Sequence, residues 1–318
     1  PSKCIPPPLW DIRHDNACWV MLERLYPLVF YMSVVEDAVI VAGGLGSRML
    51  PTSAYLPKEA LPLVDVPAFI HLVLEAANAG VSRIHIITSP KKNFDNFFQN
   101  NGLYSQLRPE ISEALFSPFN NLEFHIHIQH EPLGLGHALM QSLPAISGPF
   151  IVLLGDNIIT REFSSITNFK PSDASKKLVK AYDEFSLPCA GIYSLPESEV
   201  VNYGVVKLDN GRITGVVEKP NQSDAPSNKA LCGRYIFAAD SRDLLTNVFS
   251  VEKYGEMQTI ELQKYWMESI GYIAVDLSEY QWYDSGNPLS WLKAQIDYGL
   301  RNLDYSSELK TWLSDRLK

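Results

Sequence analysis

The sequence predicts an α/β fold in which a mostly parallel central sheet lies between layers of helices. Apolar runs of strand length alternate with helix-like segments through the first half of the chain, an order typical of such a sheet. In the middle of the chain, short strands follow one another through tight turns, which predicts a small antiparallel lobe. Since no linker, repeat or low-complexity tract is evident, we expect one α/β domain with an inserted lobe.

Four strands and three helices are predicted in the first half. The segment 35–42 is mostly apolar and of strand length, 123–129 alternates polar and apolar residues, and 150–154 is a continuous apolar run typical of a buried strand. Between them, 68–79 carries apolar residues at helical spacing and Gly80 ends it. The remaining elements are a strand over 83–88 and helices over 93–100 and 136–143.

Three strands and three helices are predicted in the second half. Strands over 187–193, 203–208 and 212–218 follow one another closely, and the Asp-Asn-Gly turn at 209–211 is a strong hairpin signal. Beyond them, apolar periodicity predicts helices over 259–270, 290–301 and 306–317. The antiparallel lobe is therefore expected between the parallel sheet and the C-terminal helices.

The composition excludes several classes of protein. With 318 residues, 46% hydrophobic and 20% charged, the chain can bury a large core. Its net charge of -9 argues against broad nucleic-acid binding, whereas a nucleotide substrate needs only a few local cations. Four scattered cysteines form no zinc or redox motif, so a reducing, cytoplasmic location is expected. Because no apolar run approaches the ~20 residues of a membrane span, no membrane partner is expected.

The first 31 residues differ from the rest of the chain. They begin with a proline-rich stretch, and the apolar segment 19–31 is interrupted by charged residues and a proline. The features of a secretory signal are not evident in them. We expect 1–31 to be an extension outside the main fold, or alternatively an arm that packs on a partner subunit. The main domain is expected over 32–305, followed by a C-terminal helix over 306–318.

The most informative segment is a glycine-rich turn after the first predicted strand. Gly43, Gly44 and Gly46 let the backbone approach an anion and present bare N–H groups to it. Arg48 and Lys58 add full positive charges, and a helix starting after the turn would add its positive end. The segment lacks the Gly-Lys-Ser/Thr of a Walker loop and the third glycine of the dinucleotide pattern. We therefore predict a polyphosphate cradle of another type.

Two aspartates far apart in the sequence are candidate metal ligands. Asp156 directly follows the predicted buried strand 150–154, at the edge where open α/β sheets bind ligands. Asp284 lies in a Tyr-Asp-Ser-Gly-Asn segment. Carboxylate oxygens suit Mg²⁺, which also takes phosphate oxygens. Taken alone, Asp156 could equally cap a helix, and Asp284 could belong to a solvated turn.

Other polar residues have less specific patterns. Gln129 precedes the turn at Gly134, and its amide offers a donor and an acceptor that suit a pyrimidine edge; a surface glutamine is the alternative. His137 is expected to cap or pack at a helix start. His125 and His127 alternate with apolar residues, so we expect a half-exposed strand face and not a metal site.

Several short motifs resemble those of the sugar-1-phosphate nucleotidyltransferases. In chain order they are G-L-G-S-R, P-K-E-A-L-P-L, G-L-G-H, G-D-N, Y-G-V-V, V-E-K-P and D-S-G-N. Within that family the chain is most similar to the bacterial-type UTP–glucose-1-phosphate uridylyltransferases, or UDP-glucose pyrophosphorylases, over roughly 35–301. The resemblance implies a Rossmann-like three-layer α/β/α fold of the nucleotide-diphospho-sugar transferase type, with the antiparallel lobe on the sugar side.

The resemblance also implies a set of site residues. Those implied in catalysis are Arg48, Lys58 and Lys219. Those implied in nucleotide binding are Ala42, Gly43, Gly44, Gly46, Gln129 and Gly134. Those implied in sugar-phosphate binding are Gly204, Glu218, Lys219 and Asn228. Those implied to hold Mg²⁺ are Asp156 and Asp284. Without the resemblance, the Glu-Lys-Pro end of strand 212–218 would indicate only a surface ion pair on an edge strand.

The implied reaction joins UTP and glucose 1-phosphate into UDP-glucose and pyrophosphate, with Mg²⁺ as cofactor. The implied assembly is a homo-oligomer, either a dimer or a tetramer. Uridylyltransferases often have Pro-Asp where this chain has Gly155-Asp156, so dTTP or another NTP is the first alternative substrate. The second alternative is a catalytically silent regulatory paralogue. Such proteins typically lose the loop arginine or a metal carboxylate, and this chain has both.

Overall fold

The computed structural model describes residues 33–99, 101–249 and 257–317, so the predicted extension over 1–31 lies outside the described residues. The strands are β1 (Asp37–Val41), β2 (Pro62–Leu63), β3 (Val66–Pro67), β4 (Arg83–Thr88), β5 (Glu123–Ile128), β6 (Phe150–Leu154), β7 (Asn157–Thr160), β8 (Cys189–Ser194), β9 (Gly204–Asp209), β10 (Arg212–Glu218), β11 (Lys229–Phe237), β12 (Ile273–Asp276) and β13 (Gln281–Asp284). The helices are α1 (Ala68–Asn78), α2 (Gly102–Leu107), α3 (Glu113–Phe116), α4 (Leu135–Met140), α5 (Ala174–Phe185), α6 (Ser241–Asn247), α7 (Ile260–Glu268), α8 (Pro288–Arg301) and α9 (Ser306–Arg316).

A nine-stranded sheet has the order β5-β4-β1-β6-β11-β8-β12-β10-β9. Strands β5, β4, β1 and β6 are parallel, as the first half of the sequence predicts. Strand β11 runs antiparallel between β6 and β8, and the β9–β10 hairpin continues the same sheet instead of forming a separate lobe. The expected mostly parallel sheet is therefore not confirmed, because the sheet is mixed. A buried strand has the same apolar pattern whichever way its neighbours run, so the sequence could not show this.

Most predicted elements are present, with ends shifted by a few residues. At 93–100, however, the described residues form a 3₁₀ turn at Asp95–Phe98 and not the expected helix. Strands β7, β11, β12 and β13 were not predicted. The omission of β11 matters most, because this strand places Arg234 in the interior, where its side chain is fully buried.

Two apolar cores lie on opposite faces of the sheet. Ile151 and Leu153 of β6 belong to one core and Val152 to the other, as expected from the alternation of side chains along a strand. Helices α1 and α5 cover the first face, and α4 and α7 cover the second. Helices therefore lie on both faces, as predicted. Among the described residues, no helix combines the length and apolarity that crossing a bilayer requires.

His71 of α1 is a buried histidine that should make folding sensitive to acid. Burial lowers its pKa to about 4, below the value of about 6.5 for an unfolded chain. The unfolded state therefore binds more protons below pH 6.5, and stability falls as the pH decreases, by about 2 kcal/mol at pH 5. Urea titrations at pH 7 and pH 5 should show that His71→Gln reduces the loss of stability by about 2 kcal/mol, whereas His130→Gln, at an exposed histidine, leaves it unchanged. An equal loss in both variants would contradict this prediction.

Candidate active site

The glycine-rich turn follows β1 and needs glycine for two separate reasons. Gly46 has a left-handed backbone, with φ of 66°, and its carbonyl accepts a 2.8 Å hydrogen bond from the Ser53 hydroxyl. A side chain on Gly43 would begin 3.0 Å from Oε1 of Gln129, so the turn and this glutamine are neighbours. The residues after the turn, Ser47–Met49, form a short 3₁₀ turn and not the expected helix. Backbone amides and side-chain cations, and not a helix end, are therefore the groups of this turn that could bind an anion.

A buried ion pair between Lys92 and Glu59 contacts the backbone at the start of the turn. Lys92 donates a 2.7 Å hydrogen bond to the carbonyl of Ala42 and contacts both carboxylate oxygens of Glu59, at 2.9 and 2.7 Å. The N–H of Ala42 donates a 2.8 Å bond to the carbonyl of Ile87 in β4. In contrast, no atom lies within 4 Å of where a side chain on Gly44 would begin. The pair was not predicted, although Glu59 lies in the Pro-Lys-Glu motif that could have indicated it.

Two cations and two aspartates converge beside the turn. The ammonium of Lys58 donates a short hydrogen bond to Oδ2 of Asp156. A methyl group on Gly286 would lie 2.9 Å from Oδ1 of Asp284, 3.1 Å from Nη2 of Arg48 and 3.5 Å from Oδ2 of Asp156. Arg48, Asp156 and Asp284 therefore surround one point in space, and Lys58 joins them through its bond to Asp156.

Backbone pairing brings the two aspartates together. Strands β7 and β13 are antiparallel, and Asn157 lies opposite Asp284. The carbonyl of Asp156 accepts hydrogen bonds from the N–H and the hydroxyl of Ser285, at 2.8 and 2.9 Å. The residue before Asp156 also donates a 2.9 Å bond to the end of β1. The aspartates are therefore fixed relative to each other and to the glycine-rich turn.

The two aspartates have different proton affinities. Burial raises the pKa of Asp156, but the charge and hydrogen bond of Lys58 bring it below the usual value. For Asp284, burial and the charge of Asp156 both raise the pKa, and its Oδ2 accepts a 3.4 Å bond from the Tyr203 hydroxyl. Two carboxylates so close together repel each other when both are ionised. A divalent cation between them would remove that repulsion, so this pair suits a hard metal ion.

Gln129 lies where the glycine-rich turn meets the turn at Gly134. Its side chain is buried, and its amide donates a 3.2 Å hydrogen bond to the carbonyl of Gly134. The same amide lies 3.1 Å from Nδ1 of His137. His137 was expected to cap or pack at a helix start; it lies in the first turn of α4 and contacts the glutamine directly. The histidine therefore helps to fix the orientation of Gln129.

The β9–β10 hairpin supplies the predicted sugar-side residues. Gly204 is paired with Glu218, and a side chain on Gly204 would begin 3.0 Å from Oε2 of that glutamate. Lys219 has a left-handed backbone, with φ of 45°, and its N–H donates a 3.0 Å bond to the carbonyl of Tyr203. The side chain of Lys219 is 64% exposed, with Nζ 3.7 Å from Oε1 of Glu218. Both charged groups are thus available to a ligand.

A cleft of about 970 Å³ extends from Arg48 and the two aspartates to the hairpin, whereas Lys58, Gln129 and the glycines of the turn are not part of its lining. Its lining includes Arg48, Asp156, Asp284, Gly204, Glu218 and Lys219. Asn228, in contrast, lies in a separate, smaller depression, and its amide donates a 3.2 Å bond to the carbonyl of Leu195. The structure therefore brings Gly204, Glu218 and Lys219 to the cleft but not Asn228. The location of Asn228 depends on β11, which begins at the next residue and was not predicted.

A second buried ion pair lies behind the aspartates. Arg234 contacts both carboxylate oxygens of Glu75, each at 2.8 Å, and donates a 2.9 Å bond to the carbonyl of Asn157. The hydroxyl of Ser175 also donates to this glutamate, at 2.5 Å. Because Asn157 directly follows Asp156, the pair anchors the backbone of the site. This buried pair was not predicted, since charged residues are expected at the surface.

Breaking this pair should be strongly destabilising. Arg234→Met would leave Glu75 buried without its partner, and we expect a loss of roughly 3–5 kcal/mol of unfolding free energy. The double variant Glu75→Leu with Arg234→Met should recover most of that loss, because neither charge then remains buried. Urea denaturation of the three proteins tests this. A single variant as stable as the unaltered protein would show that the pair contributes little.

The sequence also matches known proteins over most of its length. The family model described as nucleotidyl transferase matches residues 37–299. The chain belongs to the nucleotidyl transferase family. It is 33% identical to the UTP–glucose-1-phosphate uridylyltransferase YngB of Bacillus subtilis (strain 168), over 89% of this chain and 96% of the relative. It is 31% identical to the UTP–glucose-1-phosphate uridylyltransferase of Staphylococcus haemolyticus (strain JCSC1435), over 89% of this chain and 99% of the relative.

Solved structures show the same relationship. A UDP-glucose pyrophosphorylase from Acinetobacter baumannii has a TM-score of 0.74 and 28% identity, with 89% of this chain and 100% of that chain covered. A UDP-glucose pyrophosphorylase complexed with UDP-glucose has a TM-score of 0.71 and 28% identity, with 83% and 98% covered. The fold of this nucleotidyl transferase is therefore that of the UDP-glucose pyrophosphorylases.

Proposed function

We propose that this protein transfers the uridylyl group of UTP to glucose 1-phosphate, giving UDP-glucose and pyrophosphate. The observation that carries the proposal is that Arg48, Asp156 and Asp284, with Lys58 bonded to Asp156, lie together and share a cleft with the Glu218–Lys219 segment. One end therefore suits a triphosphate and the other a sugar phosphate. The names of the relatives, and the UDP-glucose held by one solved structure, support the choice of substrates.

The reaction would proceed by direct displacement at phosphorus. A phosphate oxygen of glucose 1-phosphate attacks the α-phosphorus of UTP, and the bond to the β-phosphate breaks as pyrophosphate leaves. The turn amides and Arg48 stabilise the charge that develops on the pyrophosphate. Lys58 contacts nucleotide phosphate, and Lys219 orients the attacking phosphate. Positioning and charge neutralisation account for catalysis, so no covalent intermediate is needed.

Asp156 and Asp284 would hold Mg²⁺. Their paired carboxylates supply the hard oxygen ligands that this ion prefers, and substrate phosphates would complete the coordination. No group of three or more His, Cys, Asp or Glu side chains suited to a metal occurs in the described part of the chain. An open site of two carboxylates fits an ion that retains substrate and water ligands. When bound, Mg²⁺ would neutralise phosphate charge as a Lewis acid.

Gln129 would contact the base. Its buried amide lies beside the glycine-rich turn, and its oxygen can accept a hydrogen bond from the N–H of uracil, while its nitrogen is held by Gly134 and His137. Thymine presents the same edge and adds only a methyl group, which a pocket distinguishes by ~1–3 kcal/mol. The alternative with dTTP therefore keeps the site and changes only the preferred nucleotide.

Pyrophosphate release with glucose 1-phosphate and Mg²⁺ tests this function, with UTP, dTTP, CTP, ATP and GTP compared at equal concentration. We expect release with UTP to exceed release with every other nucleotide. Preference for dTTP would overturn the assignment of the base and keep the chemistry. A folded protein that is silent with all five nucleotides and several sugar 1-phosphates would indicate the regulatory paralogue.

Lys219→Ala should weaken the use of the sugar phosphate. Loss of one exposed charge-assisted hydrogen bond of about 1.5 kcal/mol corresponds to a rise of about tenfold in the KM for glucose 1-phosphate. The KM for UTP should change little. Lys207→Ala is the matched control, because Lys207 is an exposed lysine of the same hairpin outside the cleft. A tenfold rise in both variants would show that hairpin charge, and not Lys219, is responsible.

We also propose that residues 32–305 form the catalytic domain and that 306–318 is a helix attached to it. Consistent with this, Gly299 of α8 lies against α9, since a side chain there would begin 2.9 Å from Cδ2 of Leu309. We further propose a cytoplasmic homo-oligomer, dimer or tetramer. Sedimentation at several concentrations would test the assembly.

A further inference from the structure

Helix α7 contributes a polar face to the cleft. Leu262 and Trp266 point into the apolar core on one side of the sheet. Thr259, just before the helix, and Gln263, one turn later, line the cleft instead. Helix α7 packs on β10, the strand that ends at Glu218. This polar face is therefore next to the strand that carries the proposed sugar-phosphate residues.

The amide of Gln263 is only half used. Its nitrogen donates a 3.1 Å hydrogen bond to the Thr259 hydroxyl, while Oε1 is buried and has no partner. The whole residue is 3% exposed, so bulk water does not solvate this oxygen. An unsatisfied buried polar atom costs free energy, and a native structure that keeps one calls for an explanation.

Its position distinguishes Gln263 from the other unsatisfied groups. Within the described ranges, the other buried side-chain atoms without a partner are His71 Nε2, Thr88 Oγ1, Ser89 Oγ, Tyr272 OH and Trp291 Nε1. None of these residues lines the cleft. Among these residues, only Gln263 lies in the wall of the cleft, so a ligand bound there is next to the amide that lacks a partner.

The chemistry of this wall suits a neutral, hydroxyl-rich group. Gln263 is uncharged, and Leu231 and Tyr235 also line this part of the cleft, whereas the cations and aspartates lie at the triphosphate end. A hydroxyl can both donate and accept, so it can pair with either end of an amide. Both the hexose and the ribose of UTP present hydroxyls, and the packing of α7 on the strand that ends at Glu218 favours the hexose.

We infer that Gln263 is a specificity-determining residue for the sugar, and that its amide binds a ring hydroxyl of the hexose 1-phosphate. This inference rests on the proposed function and adds to it a contact that recognises the sugar itself. The contact would be made by Oε1 in the observed orientation of the amide. Without sugar the oxygen is left unpaired, so binding the correct hydroxyl satisfies it.

Gln263→Met removes the amide and keeps the length of the side chain. Loss of one neutral hydrogen bond predicts a rise of ~2- to 13-fold in the KM for glucose 1-phosphate, with the KM for UTP unchanged. The melting temperature without substrates should stay about level, because the variant removes an unsatisfied buried oxygen and also the bond to the Thr259 hydroxyl. Lys264→Met is the matched control, since Lys264 is the next residue of α7 and is outside the cleft.

Deoxy analogues of glucose 1-phosphate identify the hydroxyl. The unaltered protein should lose efficiency with one analogue by about the factor that Gln263→Met loses with glucose 1-phosphate, and the variant should show no further loss with that analogue. The inference would be overturned if Gln263→Met changed only the KM for UTP. It would also be overturned if every deoxy analogue reduced the efficiency of the variant by the same factor as that of the unaltered protein. If the unaltered protein turns over glucose 1-phosphate normally and Gln263→Met does too, only the inference fails. If the unaltered, folded protein uses no sugar 1-phosphate, the proposed function fails and the inference with it.

Discussion

Asp156→Asn should lower kcat by at least about 10³-fold, the largest effect expected of any single change in the site. The substitution keeps the size of the side chain and removes a charged metal ligand, and a Lewis acid contributes several kcal/mol to charge stabilisation. About 4 kcal/mol corresponds to 10³ in rate. The KM for UTP should not rise, because removing a negative charge favours the approach of a polyanion. Steady-state kinetics with varied Mg²⁺ measure both effects.

The matched control for this change is Asp209→Asn, at an exposed aspartate of the β9–β10 turn outside the cleft. It should keep activity close to that of the unaltered protein. Asp284→Asn should behave like Asp156→Asn, and the double variant should be little worse than either, since the two carboxylates act on one ion. If Asp156→Asn retained activity within threefold of the unaltered protein, the metal assignment would be wrong.

Arg48→Ala should lower kcat by ~10²- to 10³-fold, as expected when one preorganised donor to a developing negative charge is removed. The KM for both substrates should change much less, because the leaving pyrophosphate acquires its charge in the transition state. Arg48→Lys keeps the charge and loses the planar fork, so we expect an intermediate rate. Single-turnover measurements separate this effect from product release.

Arg108→Ala is the control for this second prediction. Arg108 is exposed and pairs with Glu110 at the surface, so its removal should leave turnover unchanged. If Arg48→Ala raised the KM for UTP and left kcat intact, Arg48 would bind the ground state only. The glycine-turn amides would then have to account for the stabilisation of the leaving group.

The chemistry of this site was more predictable than its supports. Glycine turns and charged residues after apolar strands are local patterns, and they indicated Arg48, Lys58 and Asp156 correctly as neighbours of one site. Asp284 needed the resemblance, because its segment alone fits a solvated turn. The burial of Arg234 and of Gln263 was not predicted, since burial of a charged or amide side chain depends on elements that meet only after folding.

In the architecture too, elements with their own sequence pattern were predicted, whereas the pairing of the strands was not. Periodicity identified β1, β4, β5, β6 and the main helices, because each carries its own pattern of apolar residues. Strand β11 was not identified, and its antiparallel insertion next to β6 makes the sheet mixed. Direction and neighbour are properties of pairing across long sequence distances, so a single strand does not encode them. The prediction for Asn228 was wrong for the same reason. This residue directly precedes β11, so its location depends on a strand that was not predicted.

The fate of the α-phosphorus tests the central claim most directly. The protein would be incubated with UTP labelled with ³²P at the α-position, glucose 1-phosphate and Mg²⁺, and the products separated by chromatography. Direct displacement predicts that the label appears in UDP-glucose with an equal amount of pyrophosphate, and that none remains on the protein. Label in UMP, or stably attached to the protein, would contradict direct transfer between the two substrates at this site.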